Sequence, residues 1–205
     1  GISFREEEGA YLCGYLAARV SKTGKIGFIG GVKIPVIERF ATGYRTGAID
    51  AASSTQVVEE YVANDFSGFN NPEAAGSIAD NLYRTGCDVI FPAAGASGLG
   101  VISSAVKARA YAIGVDMNQD SLAPGLVLTS MLKRVDLVVE TIVANICAGR
   151  KPDYIRRSYG LADNAIGLTD FQLSFKVVGE NLIQELNGLR RGIIEGKIKT
   201  GVKEN

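Results

Sequence analysis

The stretch that decides the fold is DVIFPAAGASGLGVISSAVKARAYAIGVDMNQ, residues 88–119. Its first apolar run, Val89–Phe91, is typical of a strand, and Pro92 is expected to end that strand. The second apolar run, Tyr111–Val115, leads directly to Asp116. Between the two runs, a segment rich in glycine and alanine precedes apolar residues at helical spacing: Leu99, Ile102, Ala105 and Val106. A strand–helix–strand unit of this kind almost always forms a right-handed parallel crossover.

The residues before this stretch repeat the same alternation of helix and strand patterns. The predicted elements are a helix over Glu6–Val20, a strand over Lys25–Val32, a helix opened by Ile34–Pro35, a strand over Thr55–Ala63 and a helix over Pro72–Tyr83. Such alternation predicts an α/β fold, in which a parallel sheet of four or five strands has helices on both faces. Ligands bind such sheets at the carboxyl ends of the strands.

The alternation stops after Asp116. The predicted elements there are a strand over Leu126–Met131, a helix over Leu137–Ala148, short strands over Tyr154–Gly160 and Ala165–Leu168, and a helix over Lys176–Gly196. These strands cannot form a sheet of their own, and the two helices have apolar faces that need a cover. Either this half folds back onto the first, or two copies of the chain pair; the free strand edges favour a homodimer.

Composition excludes several classes of protein. The chain has 22 Lys and Arg against 22 Asp and Glu, so nothing indicates a nucleic-acid surface. The sequence contains no run of about 18 apolar residues, so no membrane span is predicted. Cys13, Cys87 and Cys147 are odd in number and lack CxxC spacing, which disfavours a disulfide framework or a zinc site and favours buried thiols. Histidine is absent, which removes the commonest general base and metal ligand, so no metal, cofactor or catalysis is predicted.

Two motifs have competing interpretations. The glycines from Gly95 to Gly100 are spaced GxxGxG, whereas dinucleotide-binding loops have GxGxxG, and no GxxxxGK[ST] occurs. This spacing disfavours a Rossmann-type enzyme. The run Glu6–Glu8 could be a catalytic cluster, but a solvated first turn of a helix is the favoured interpretation, because acidic residues complement the helix dipole there.

Four residues are candidates for a ligand site at the carboxyl ends of the strands. Asp116 ends an apolar strand, and its carboxylate could accept two hydrogen bonds from paired hydroxyls or a base edge; otherwise it caps the turn that follows. Phe66, in the loop after a strand, could stack on a flat ligand or cover the end of the core. Gly95 lets the backbone approach a ligand closely. Lys133 lies between a strand and a helix and reaches the same edge, although lone lysines are usually solvated.

Five segments in order resemble the basic membrane protein family of substrate-binding lipoproteins of ABC transporters, whose best-understood members are purine nucleoside receptors. The segments are FREEEGAYLCGYLAA (4–18), GFIGGVKIPVIERFATGY (27–44), VIFPAAGASGLGVISSA (89–105), YAIGVDMNQ (111–119) and VLTSMLKRVD (127–136). The resemblance implies the type I periplasmic-binding-protein fold, in which two α/β lobes clamp a ligand between them. It covers nearly the whole chain and weakens after about Gly149.

The resemblance also implies roles for parts of this chain. Residues 1–126 correspond to a complete second lobe, and residues 127–205 to a hinge return and an incomplete part of the first lobe. Asp116 would bind ribose hydroxyls, Phe66 would stack on the nucleoside, Gly95 would contact it through the backbone, and Lys133 would reach in from the hinge. The expected partner is an ABC permease, and the expected location is outside the cytoplasm, with a lipid anchor in a segment upstream of this chain.

The sequence leaves one rival function within the same fold, namely a cytoplasmic regulator or sensor that uses the same ligand-binding module. Fold alone does not separate the two functions. The residues that precede Gly1 in the complete protein would separate them, since a lipobox indicates an importer component.

Overall fold

A computed structural model of the chain describes residues 1–150 and 157–202. The strands are β1 (Ser3–Phe4), β2 (Lys25–Gly30), β3 (Gln56–Tyr61), β4 (Val89–Ala93), β5 (Tyr111–Asp116), β6 (Val127–Lys133), β7 (Ser158–Tyr159) and β8 (Ile166–Leu168). The helices are α1 (Glu6–Val20), α2 (Pro35–Ala51), α3 (Pro72–Arg84), α4 (Gly98–Ala108), α5 (Val135–Cys147) and α6 (Phe175–Ile194).

The centre of the molecule is a six-stranded sheet in the order β3-β2-β4-β5-β6-β8. Its first five strands are parallel, and β8 adds to the edge in the antiparallel sense. Strand residues alternate between two cores: Phe28 and Phe91 pack toward α1 and α2, whereas Ile29 and Ile90 pack toward α3 and α4. The predicted parallel sheet with helices on both faces is therefore confirmed.

Strand β4 extends past the predicted stop at Pro92, to Ala93. Its pairing with β5 covers only Val89 and Ile90, so the missing amide hydrogen of Pro92 falls where that ladder has already ended. On its other side, β4 stays in register with β2 as far as Ala93. The helical prediction in the same stretch also needs a correction, because Leu99 and Val106 are exposed, while Val101 takes the buried place beside Ile102 and Ala105.

The second half of the chain folds back onto the same sheet, which is the less favoured of the two predicted alternatives. β6 is the fifth parallel strand and β8 pairs with β6. Of the predicted strand Tyr154–Gly160, residues 154–156 lie outside the described residues, and Ser158–Tyr159 pairs with β1. α6 buries Leu182 and Leu186 in the core that α1 also lines.

Helix α5 has an apolar face that remains exposed. Only Val138 of this helix is buried, and the exposed apolar side chains follow at helical spacing: Val135, Val139, Val143 and Ile146. The homodimer stays a prediction. The reason to expect it is now this exposed apolar face, and no longer a free strand edge.

The three cysteines differ in a way that thiol chemistry can measure. Cys13 and Cys87 are buried and Cys147 is exposed, so the prediction of three buried thiols is wrong for Cys147, which lies at the end of α5. Burial raises the pKa of Cys87 to about 11 and that of Cys13 further. Because the thiolate is the reactive form, a disulfide reagent should modify Cys147 rapidly in the folded chain and the other two only after unfolding. Fast modification of all three thiols would contradict this burial. So would a parent chain that reacts as slowly as a Cys147→Ser variant.

Candidate ligand-binding site

The four candidate residues all follow parallel strands at the carboxyl edge of the sheet. Asp116 is the last residue of β5 and Lys133 the last residue of β6. These two strands are neighbours, with Asp116 opposite Leu132. Gly95 lies two residues after β4, and Phe66 lies five residues after β3. We call this edge the rim, defined by Phe66, Gly95, Asp116 and Lys133.

Phe66 opens a short 3-10 helix, Phe66–Phe69, that projects from the rim. The carboxylate of Asp65 accepts a hydrogen bond from the amide of Ser67 at 2.9 Å and fixes the start of this turn. Phe66 is 73% exposed, so its side chain covers little of the core. Of the two interpretations of Phe66, the structure therefore disfavours a cover for the core.

Phe69, which sequence reasoning missed, occupies the space between Phe66 and Gly95. Its ring centroid lies 6.2 Å from that of Phe66. A Cβ atom on Gly95 would lie 3.1 Å from the carbonyl oxygen of Phe69, and Gly95 has φ +55°. Ser97 fixes the same region, since its Oγ donates to the carbonyl of Gly68 at 2.7 Å. Gly95 thus serves close packing of two rim loops, in addition to any contact with a ligand.

Asp116 presents a carboxylate without a partner among the described residues. Its backbone is left-handed, with φ +66°, which is uncommon for a residue other than glycine. The following turn is closed by Gln119, whose Oε1 accepts from the amide of Val115 at 2.9 Å. Gln119 in turn is held by Ser130, whose Oγ accepts from its amide at 2.9 Å. The side chain of Asp116 therefore does not cap this turn, and it remains exposed at the rim.

The charge on Asp116 is tuned by its surroundings. Although solvent reaches the side chain, the neighbouring protein displaces enough water to raise the pKa of its carboxyl above the ordinary value. The charge of Lys133 opposes this rise and the charge of Glu6 adds to it. No ion pair within 4 Å joins Asp116 to Lys133 in the described chain, so the carboxylate is available to hydrogen-bond donors.

Lys133 is not a solvated lone lysine. Its Nζ donates to Oε1 of Glu6 at 2.8 Å and lies 4.9 Å from the ring centroid of Phe4. The other oxygen of Glu6 accepts from Nε and Nη2 of Arg39, at 3.0 and 2.7 Å. Lys133 is thus held at the rim by a carboxylate and an aromatic face.

The acidic start of α1 is buried, which corrects the prediction of a solvated turn. The side chain of Glu6 is only 2% exposed. Oε2 of Glu8 accepts from the amide of Leu161 at 2.6 Å, and Oε1 lies 2.8 Å from Nε of Arg5. Desolvation raises the pKa of Glu7, which Arg39 partly offsets. The partners of Glu6 and Glu8 include Arg39, Lys133 and Leu161, which lie 33 or more residues away along the chain. Helical periodicity could not reveal such partners.

Other features of the described residues do not point to a second kind of chemistry. A cavity of about 470 Å³ lies between β8 and α6, lined in part by Ile166, Phe171 and Leu186, but it contains none of the rim residues. Among all the described residues, no group of three or more His, Cys, Asp or Glu side chains is placed to hold a metal ion. Within the same residues, no helix combines the length and apolar character that crossing a bilayer requires. We regard the rim as the candidate site, because the free carboxylate and the exposed ring lie there.

A parallel α/β sheet whose candidate contacts line its carboxyl edge has the arrangement of a ligand-binding α/β domain. Residues 1–204 match the sequence profile of the Bmp family, described as ABC transporter substrate-binding protein PnrA-like. The chain belongs to this family, as its five segments predicted.

Curated relatives support this membership. Basic membrane protein D of Borreliella burgdorferi is 42% identical over 188 residues, which cover 88% of this chain and 50% of that protein. The CD4+ T-cell-stimulating antigen of Listeria monocytogenes is 34% identical over 218 residues, 98% of this chain and 59% of that protein. The chain therefore spans about half to three-fifths of the length of these relatives.

Solved structures support the fold. An ABC transporter solute-binding protein from Aeropyrum pernix superimposes with a TM-score of 0.83 at 25% identity, covering all of this chain and 67% of that protein. A transcriptional activator of the comK gene from Bacillus halodurans also superimposes with a TM-score of 0.83, at 20% identity, covering 95% of this chain and 64% of that protein. The second likeness is one of fold alone.

Proposed function

We propose that this chain forms part of the nucleoside-binding component of an ABC importer. Residues 1–126 act as the second lobe, together with β6 and β8, which extend the same sheet. A purine nucleoside is held between this lobe and the first lobe. The observation that carries this proposal is the exposed carboxylate of Asp116, which has no ion-pair partner within 4 Å among the described residues and shares a rim with the exposed Phe66.

The rim offers two different chemistries at two separated places. β3, which Phe66 follows, and β5, which Asp116 ends, are three strand spacings apart, about 14 Å between their backbones. A carboxylate can accept hydrogen bonds from both hydroxyls of a ribose, and a phenyl ring can stack on a planar base. The elongated shape of a nucleoside, with a sugar at one end and a flat base at the other, suits this arrangement.

The remaining parts of the proposal follow from membership of the family. An importer component delivers its ligand to a membrane permease, so a permease is the proposed partner. We also propose a location outside the cytoplasm, with a lipid anchor that the complete protein carries before this chain. The role requires no catalysis, since binding and release complete the task.

The test is calorimetry on a protein that has both lobes, made by joining this chain to the part of Basic membrane protein D that lies outside the matched region. Inosine or adenosine should bind with measurable heat and raise the melting temperature, whereas free ribose and free base should bind far more weakly, because each satisfies one end of the rim. The 205-residue chain alone, with one side of the cleft, should bind more weakly than the two-lobed protein. No heat and no thermal shift with either nucleoside at high concentration would contradict the proposal.

The rival function is a regulator or sensor built on the same fold. The comK activator shares that fold, but its identity of 20% carries no function to this chain. The same calorimetry does not separate these two roles, because both bind a ligand. Fractionation of cells that express the complete protein does separate them: membrane-bound protein released by a lipase supports the importer, and protein in the cytosol supports the regulator.

A further inference from the structure

Glu6 is a buried carboxylate that joins two cations from distant parts of the chain. It begins α1, and each of its oxygens has a separate partner, Lys133 from β6 and Arg39 from α2. A buried carboxylate is unfavourable unless both of its oxygens are satisfied, and here they are. The arrangement fixes where the ammonium of Lys133 can lie.

The position of Lys133 matters because Asp116 is the neighbouring carboxylate. The two residues end adjacent strands, and the charges that act on Asp116 are those of Lys133 and Glu6, with Arg39 on the far side of Glu6. Lys133 nevertheless pairs with the buried carboxylate and leaves the exposed one without an ion pair within 4 Å in the described chain. Because β5 and β6 are adjacent, Asp116 is the alternative carboxylate for an ammonium that Glu6 does not hold.

We infer that Glu6 is a positioning residue that holds the Lys133 ammonium away from Asp116 and so keeps the Asp116 carboxylate free to accept hydrogen bonds from a ligand. The benefit to ligand binding rests on the proposed function, but the geometric part does not. Without Glu6, Lys133 turns toward Asp116, and an incoming ligand must displace it. An exposed ion pair of that kind weakens binding by about two- to fivefold.

The experiment is a double-mutant cycle read by the pKa of Asp116, measured by carbon NMR of its carboxyl group in the free 205-residue chain. The four proteins are the parent, Glu6→Gln, Lys133→Met and the double variant. Loss of the Glu6 charge lowers the pKa of Asp116 by itself, and transfer of Lys133 onto Asp116 lowers it further. We therefore expect Glu6→Gln to lower this pKa more when Lys133 is present than when it is methionine.

Glu8→Gln is the matched control, because it removes one negative charge from the same turn of α1 while leaving Lys133 in place. It should leave the pKa of Asp116 unchanged. Equal effects of Glu6→Gln with and without Lys133, or an equal effect of Glu8→Gln, would overturn the inference. Should Glu6→Gln fail to fold, Glu6→Asp keeps the charge but withdraws it from both cations. The pKa of Asp116 should again decrease more when Lys133 is present than when it is methionine.

Nucleoside titration of the same variants in the two-lobed protein separates this inference from the proposed function. Glu6→Gln should weaken nucleoside binding about two- to fivefold and Glu8→Gln should not. Non-additive changes in the pKa of Asp116, with no nucleoside binding in any of the proteins, would contradict the proposed function and leave the positioning role supported. Nucleoside binding with additive pKa changes would do the reverse.

Discussion

Gly14→Ala is expected to destabilise the chain by about 1–3 kcal/mol or more, through a clash between backbones. A Cβ atom at this position of α1 would lie 1.8 Å from the carbonyl oxygen of Tyr44 in α2. A backbone oxygen cannot rotate away as a side chain can, so the two helices would have to separate. Their separation would loosen the core on that face of the sheet, where Tyr11 and Phe91 are buried.

Gly188→Ala is the matched control for this prediction. It changes the same residue type inside helix α6, and a Cβ atom there would meet nothing within 4 Å. Alanine should therefore be neutral or stabilise by about 0.5–1 kcal/mol, because it has the higher helix propensity. Equilibrium urea unfolding of both variants measures the difference. Equal stabilities for the two variants would show that α1 and α2 are not packed as closely as described.

Asp116→Ala is expected to weaken nucleoside binding about ten- to a hundredfold in the two-lobed protein. A hydrogen bond to a charged carboxylate contributes about 1.5–3 kcal/mol, and lobe closure would remove the competing water. The raised pKa sets a pH dependence as well: the ionised acceptor is present above that pKa and is lost as the pH falls through it. The affinity of the parent protein for nucleoside should therefore decrease at acidic pH. The Asp116→Ala variant should lack the part of this decrease that comes from protonation of Asp116.

The control for Asp116→Ala is Asp80→Ala, an exposed carboxylate in the last half of α3. It removes the same charge far from the rim and should leave the affinity unchanged. Similar losses of affinity in the two variants would indicate a general effect of net charge, and not a contact made by Asp116.

Local patterns in the sequence were sufficient to predict most of the sheet. Helix α1 begins and ends at the predicted residues, Glu6 and Val20, because a helical pattern and the acidic residues that favour a first turn are local signals. The alternation of helix and strand patterns up to Asp116 likewise predicts that the first strands are parallel. Pro92 misled the prediction because its effect depends on which neighbour pairs with β4 at that point, and only the assembled sheet determines this.

The site could be predicted in position but not in its support. Asp116 and Lys133 follow strands, so their placement at one edge follows from topology alone. The pairing of Lys133 with Glu6 joins residues 127 apart, and the contact of Glu8 with Leu161 joins residues 153 apart. Periodicity over one helix contains no information about contacts at such distances along the chain, so the glutamates were predicted to be solvated.

The edge strand β8 shows the same limit. Its sequence predicts a short strand, but three residues contain no signal for antiparallel pairing with β6. That pairing completes the sheet and removes most of the reason for expecting free strands in the second half. The exposed face of α5 remains, and light scattering on the purified chain tests the predicted homodimer: a dimer that Val139→Lys converts to a monomer supports it, and a monomeric parent chain contradicts it.

The most direct test of the central claim, that Asp116 binds the hydroxyls of a nucleoside, is a titration that changes the ligand and the residue together. Inosine and 2′,3′-dideoxyinosine would be titrated into the two-lobed protein and into its Asp116→Ala variant. Loss of the two hydroxyls should weaken binding to the parent about ten- to a hundredfold and should have little effect on the variant. An equal loss in both proteins, or equal affinity of the parent for the two ligands, would contradict the claim.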